Sequence, residues 1–268
     1  MTPPDCGEGR VQVKIKIGHV FIMAPLLALA CSYLLHSAGT GKPLPQAMGY
    51  LHDLTITSQF IPGDFAPDGD LTKSAWRDAP RVKFDYEVRA EKHFRDSETQ
   101  VASLWTPDYV YLGYRCAYRT LNVYEGEDIA KERFGLWIRD TAEAFINPQP
   151  ERFNHYYEFE VAPNNQWVDL EIDLTKKPFG NVHWDSHFEH ATKIDAQHHV
   201  WTAEMRIPVK SMGAKPLQAG TEWRLNLYRL DGPGDDTQRR FLSWSPLPPG
   251  KNRSFHQPAS FGIIKFIK

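Results

Sequence analysis

The sequence predicts an all-β protein, an antiparallel two-sheet β-sandwich of jelly-roll or immunoglobulin-like type with few short helices. Three observations carry that expectation. Several runs alternate apolar and polar residues with period two, the mark of a half-buried strand. Proline, glycine and polar turn residues separate most of these runs. Few stretches hold a helical apolar period over three turns, and strands do not alternate with long helices, which disfavours a parallel α/β sheet.

The 268-residue chain opens differently from the rest. Residues 20–35, "VFIMAPLLALACSYLL", carry no charge; Arg10, Lys14 and Lys16 precede them and the small, polar "HSAGTGKP" follows. Basic region, apolar region and small residues in that order read as a secretory signal. The run is slightly long for a signal and slightly short for a membrane span of ~20 residues, which leaves an uncleaved membrane anchor open, and "LALAC" up to Cys31 has the form of a bacterial lipidation box. Residues 1–41 are therefore read as a signal peptide or an N-terminal membrane or lipid anchor. The body is expected to be exported, whether periplasmic, secreted or membrane-anchored. Residues 42–65 lack sustained periodicity and read as a linker. Residues 66–268 read as one β domain.

Within that domain, "YVYLGYRCAY" (109–118) and "TAEAFI" (141–146) are strand-like. "YYEFEVA" (156–162) and "WVDLEIDL" (167–174) alternate cleanly, and "PNNQ" between them supplies turn residues, so a hairpin is expected. Glu158, Glu160, Asp169, Glu171 and Asp173 fall on the polar face of these two runs and read as solvent-facing. Residues 200–207, 222–230, 240–245 and 261–267 complete the strands, and 186–194 is expected to form a short helix.

A net charge of −2 gives no electrostatic case for nucleic acid. The three cysteines form no CxxC pair, which argues against a zinc knuckle, and Cys116 is expected to be a buried free thiol. His183, His187 and His190 are spaced for one face of a helix, where imidazoles can hold zinc or copper. The chain has 8 Trp, 11 Tyr and 15 Phe, more than a core alone calls for, so part of them can serve a ligand with flat apolar faces. Trp76, Trp105, Trp201 and Trp244 sit in strand-like patterns that suit a core.

Six motifs follow one another: "DGDLTKSAWRDAP" (68–80), "VASLWTPDYVYLGYRC" (101–116), "WIRDTAEAFINP" (137–148), "YYEFEVAPNN" (156–165), "WTAEMRIPVKSM" (201–212) and "LSWSPL…SFHQPASFGIIKF" (242–266). In that order they resemble carbohydrate-binding module family 9. The resemblance implies a β-sandwich, and a partner that is an oligo- or polysaccharide held by its end between two aromatic rings. Its better-known members accompany secreted xylan-degrading enzymes. On this resemblance Trp137 is one ring, Phe255 stands where the second ring is a Trp, and Glu143 contacts sugar hydroxyls. Glu160 and Ala162 stand where the sugar-binding members carry Arg and Asn. No cofactor is required on this reading, and calcium is the cation the resemblance allows.

"FGLWIRDTAEAFINP" (134–148) gathers the candidate binding residues Trp137, Arg139, Asp140 and Glu143. Stacking of a ring on the C–H face of a sugar removes apolar area from water, worth ~25 cal/mol per Å², while carboxylates at the rim accept hydroxyl protons. A straight strand would hold Trp137 and Glu143 about 20 Å apart at most, so a bend before Asp140 is needed to bring both to one sugar. Two other functions stand beside sugar binding: a structural or partner-binding sandwich, and a glycan hydrolase using paired carboxylates. No GxSxG motif and no catalytic-cysteine signature points to another hydrolase.

Overall fold

A computed structural model describes residues 53–126, 128–232, 238–248 and 254–268. They belong to the compact unit Ala47–Lys268. The expected signal or anchor segment, 1–41, lies outside the described residues. No helix among the described residues is long and apolar enough to cross a membrane.

The strands in chain order are β1 (Thr55–Phe60), β2 (Arg81–Phe84), β3 (Tyr86–Glu87), β4 (Lys92–His93), β5 (Thr99–Trp105), β6 (Tyr109–Ala117), β7 (Thr141–Asn147), β8 (His155–Val161), β9 (Trp167–Asp173), β10 (Gly180–Asn181), β11 (Glu189–Asp195), β12 (Val200–Pro208), β13 (Glu222–Asp231), β14 (Arg240–Ser243) and β15 (Gly262–Ile267). One α-helical turn, α1 (Ser74–Arg77), and four 3₁₀ segments make up the helical part among the described residues. The protein is thus all-β with few short helices, as expected.

The hydrogen-bonded path runs β10-β9-β8-β7-β13-β15-β1-β5-β6-β12-β11, with β2, β3, β4 and β14 branching from it. Among the described residues every pairing is antiparallel except those of β1, which lies parallel to both β15 and β5. The sheet is therefore mixed, and it is continuous and curled. The curl brings its two wings together: Leu112, Tyr114, Ala203 and Met205 from β6 and β12 share one buried cluster with Ala142, Phe159, Leu225 and Leu227 from β7, β8 and β13. The Tyr114 hydroxyl crosses between the wings to donate to the Glu143 backbone carbonyl at 2.8 Å.

Two expectations are corrected here. Part of the stretch 42–65 is strand rather than linker, because Ile56 and Ser58 of β1 are buried and the Ser103 hydroxyl bonds Ser58 at 2.9 Å. Residues 186–194 form no helix: β11 begins at Glu189 and pairs along its length with β12, while Phe188 packs against Phe159 and Trp167. Edge pairing satisfies this backbone, so His183, His187 and His190 share no helical face. The hairpin at 156–174 forms as expected, closed by Asn165 at φ 67°. Cys116 is a buried free thiol, and Trp76, Trp105, Trp201 and Trp244 are buried.

Buried Glu204 on β12 ties the domain's first motif to the sheet. Its Oε2 accepts the backbone N–H groups of Asp68 and Gly69 at 2.7 and 2.8 Å, and its Oε1 accepts the Trp76 indole N–H at 2.6 Å. Lys73 supplies the opposite charge at 2.7 Å. Gly69 has φ 77°, and a Cβ there would meet the Thr192 carbonyl carbon at 2.7 Å, so the turn requires glycine.

Candidate functional site

The bend that a shared site needs is present. Gly135 takes the left-handed conformation at φ 82°, Leu136–Ile138 form a 3₁₀ turn, and the chain is extended again from Arg139 into β7. The turn buries Leu136 and holds Trp137 half-buried beside the sheet. The Arg239 guanidinium donates to the Trp137 carbonyl, fixing the turn to the start of β14. Trp137 also meets Phe134 edge-on at 5.0 Å between ring centroids.

Trp137, Glu143 and Phe255 line one cavity of about 1000 Å³ on the face of β7, β8, β9 and β13 that points away from the main core. Its walls include Phe145, Leu170, Ile172, Phe179, Leu230 and Phe241. Phe134 and Phe179 are 58% and 42% exposed at its rim, so flat apolar surface reaches the solvent there. Phe255 is not an exposed partner to Trp137: it is buried, stacked on Tyr228 at 4.0 Å and 12°, and its carbonyl accepts the Tyr228 hydroxyl at 3.0 Å.

Arg139 and Asp140 do not line the cavity. The Arg139 guanidinium lies 4.6 Å from the Tyr124 ring centroid. Asp140 is fully buried and accepts backbone N–H groups from Gly232 and Asn122 at 2.9 and 3.1 Å, joining two loops. Burial pushes its carboxyl up to about 7.

The reading of Glu158, Glu160 and Asp169 as solvent-facing is overturned. All three are buried, because both faces of β8 are covered and so is β9 at Asp169, whereas Glu171 and Asp173 further along β9 stay partly exposed. Tyr157, Phe159 and Val161 pack into the main core. Tyr156 and Ala162, on the glutamate side, pack with Val168, Leu170 and Phe145 in a second cluster. Glu143 stands opposite Glu160 in the β7–β8 ladder, and Phe145 opposite Glu158. Carboxylate oxygens of Glu143, Glu158 and Glu160 lie within 4.8 Å of one another. Burial raises Glu143 to about 7, against the pull of the Thr141 hydroxyl, which donates to it at 2.7 Å. Burial also raises Glu158 to about 8. It raises Glu160 well above the carboxylate range, with the charges of Glu143 and Glu158 adding to the effect. The signal for this group was present in the sequence: Tyr156 and Ala162 bracket the two glutamates on one strand face.

A second carboxylate group joins Glu132, Asp169 and Asp185, again within 4.8 Å. The Ser186 hydroxyl and backbone N–H bond Asp169 Oδ2, whereas buried Oδ1 has no hydrogen-bond partner among the described residues. Burial raises Glu132 to about 7 and Asp169 to about 6. Three carboxylates with an unsatisfied buried oxygen fit a hard cation such as calcium, which takes oxygen ligands. Glu132 and Asp185 lie in loops far apart in sequence, and no spacing pattern pointed to them.

The comparisons with known proteins agree with this fold. No curated protein matches the chain. Among solved structures, a candidate carbohydrate-binding protein of Bacteroides uniformis superposes with TM-score 0.61 at 18% identity, over 79% of this chain and 98% of that one. A carbohydrate binding module family 9 from Caldicellulosiruptor kristjanssonii, in complex with cellotriose, superposes with TM-score 0.57 at 16% identity, over 80% and 94% of the two chains. The same module in complex with glucose gives 0.55 at 16%, over 80% and 95%. Residues 68–268 match the profile described as carbohydrate family 9 binding domain-like. The chain belongs to that family.

Proposed function

We propose that this domain is a non-catalytic carbohydrate-binding module of an exported protein, with the sugar entering the cavity beside Trp137. The observation that carries the reading is the meeting of Trp137 and Glu143 in one cavity, across the bend at 136–138. A half-buried indole offers a stacking face, the apolar walls exclude water, and the carboxyl at the floor supplies a polar contact that orients a ligand. The two wings of the curled sheet stand for the two layers of the expected sandwich. Phe255 acts as a fixed wall, held by Tyr228, rather than as a second stacking platform. Calcium is the cation that the group Glu132, Asp169 and Asp185 suits.

Isothermal titration calorimetry of the full chain with cello- and xylo-oligosaccharides tests the reading. Saturable binding that Trp137→Ala weakens at least ~5-fold supports it; loss of one stacked ring is expected to cost about 1–2 kcal/mol, roughly a 5- to 30-fold effect. A folded chain that binds no glycan would turn the reading to a structural or partner-binding sandwich.

A further inference from the structure

We infer that the floor of the cavity binds a protonated amine, and that the glycan it suits carries an amino sugar with a free ammonium group. The inference rests on the cavity being a sugar site. It starts from the three buried glutamates. Glu158 lines the cavity and is 3% exposed, and its Oε2 has no hydrogen-bond partner among the described residues. Glu160, fully buried behind it, has none for either oxygen. Native proteins seldom leave such oxygens unsatisfied; a proton shared between Glu158 and Glu160 meets part of that need, and a cationic donor can take its place.

Burial outweighs the positive charge that reaches the group, the pull of Arg239 and Arg229 on Glu143 and of Arg239 on Glu160. His256 brings its Nδ1 to 3.9 Å from Glu158 Oε2; that nitrogen pairs with the Tyr156 hydroxyl at 2.7 Å, and burial holds the imidazole at about 4, hence neutral. Arg229 pairs with Asp231 at 2.9 Å and lies over the Trp201 ring, towards the main core. Arg239 is engaged with the Trp137 carbonyl and the Phe241 ring, and Arg89 lies 3.3 Å from the Phe241 centroid. The Tyr228 hydroxyl donates to Phe255. Glu143 and Glu158 thus line the ligand space with Glu160 buried behind them, while the lining arginine, Arg89, is turned onto the Phe241 ring. Burial favours their protonated forms, raising Glu143 to about 7 and Glu158 to about 8, so these are protons that a bound cation displaces.

The shape of the space selects an organic cation over a metal ion. A cavity of about 1000 Å³ walled by Phe145, Phe241, Phe255, Leu170 and Ile172 is far larger than an ion needs. Calcium takes 6–8 oxygen ligands, a number the three carboxyls and the Thr141 hydroxyl reach only with every carboxyl bidentate, and the apolar walls offer it no further oxygen. An ammonium carries three N–H donors, enough for the two lining carboxyls of Glu143 and Glu158, and aromatic faces attract it further. An amino sugar presents that ammonium together with the C–H face that Trp137 can cover. A hydroxyl in the same place offers one donor and no charge.

The test compares trimers of glucose, glucosamine and N-acetylglucosamine that share one linkage, titrated calorimetrically into the full chain near neutral pH in two buffers of different protonation enthalpy. The glucosamine trimer is expected to bind about 10-fold or more tighter than the other two, the range of charge-assisted hydrogen bonds, with net release of protons. Glu160→Gln, and separately Glu158→Gln, should reduce that preference to within about 3-fold while thermal melting shows the variants folded. Equal or tighter binding of cellotriose overturns the amine inference and leaves the carbohydrate reading standing. Tight calcium or manganese binding at the floor, lost in the glutamate variants and not displaced by the glucosamine trimer, overturns it in favour of a metal site. Binding of no trimer by a folded chain overturns both.

Discussion

Glu143 and Glu160 stand directly opposite each other on adjacent antiparallel strands, both buried, with Glu158 alongside. Like charges facing each other across a ladder are destabilising, so the native domain favours their protonated forms. Stability then depends on pH with a definite sign. The folded values, about 7 for Glu143 and about 8 for Glu158, lie above the ordinary 4.5, so the folded state holds protons that the unfolded state has released. Their contribution is fully present below about 4.5 and is lost as pH rises through about 7 to 8. His190 and His256, held at about 4 by burial, act oppositely, but only below their ordinary 6.5. Between about pH 6.5 and about pH 8 the melting temperature should fall by ~3 °C or more. Glu160→Gln should flatten that slope and raise the upper end. A melting temperature that climbs across this interval would refute the assignment.

Trp137 and Phe255 should separate binding from stability. Phe255→Ala removes a buried ring stacked on Tyr228 and should cost about 3 kcal/mol in denaturant unfolding. Trp137→Ala removes a half-buried ring and should cost about 1 kcal/mol, while abolishing most glycan affinity. Equal stability losses in the two variants would contradict the placement of Phe255 as a wall.

Asp140 should prove a structural residue. Asp140→Asn leaves one of two backbone N–H groups facing an amide N–H₂ instead of an oxygen, and should destabilise the domain by about 1–3 kcal/mol. Glycan affinity of the folded fraction should stay within about 2-fold. Calorimetry beside urea unfolding checks both numbers.

Calcium should raise the melting temperature. At a hundredfold excess over Kd the gain is about 2.7 kcal/mol, readable by scanning fluorimetry against a chelator. Asp169→Asn should remove the response, since Asp169 is the buried member of its group. A response that survives in the variant would place the cation elsewhere.

Much of this architecture was legible in the sequence. The alternation at 156–162 and 167–174 predicts the hairpin, and Trp105, Trp201 and Trp244 lie in the main core as their runs suggest, whereas Trp76 is buried in a smaller cluster from the helical turn α1 rather than from a strand. The motif residues Trp76 and Glu204, far apart in sequence, meet in a hydrogen bond of 2.6 Å, which accounts for their joint presence. Alternation failed where a strand is covered on both faces. It sorts side chains into two sides but does not say that one side is water, so Glu158 and Glu160 were assigned to solvent. β1 was missed because a strand buried between two others needs only short alternation, here Ile56 and Ser58, set in a stretch with no other period. The bend at 136–138 was anticipated as a requirement, whereas the cavity walls Phe179 and Phe241 come from segments that no motif connected.

The parallel strand β1 pairs residues 55–59 with 263–267 on one side and residues 58–60 with 103–105 on the other. During synthesis, one edge of β1 has no native neighbour until roughly 200 further residues have emerged. The join along the main path between the wing of β5, β6 and β12 and the wing of β7, β8 and β9 is made last. Contacts of such long sequence separation slow folding and leave strand edges open to wrong partners meanwhile. A nascent chain that stalls before residue 262 therefore holds two half-sheets without their seam, and it is in that interval that the domain most needs shelter from aggregation.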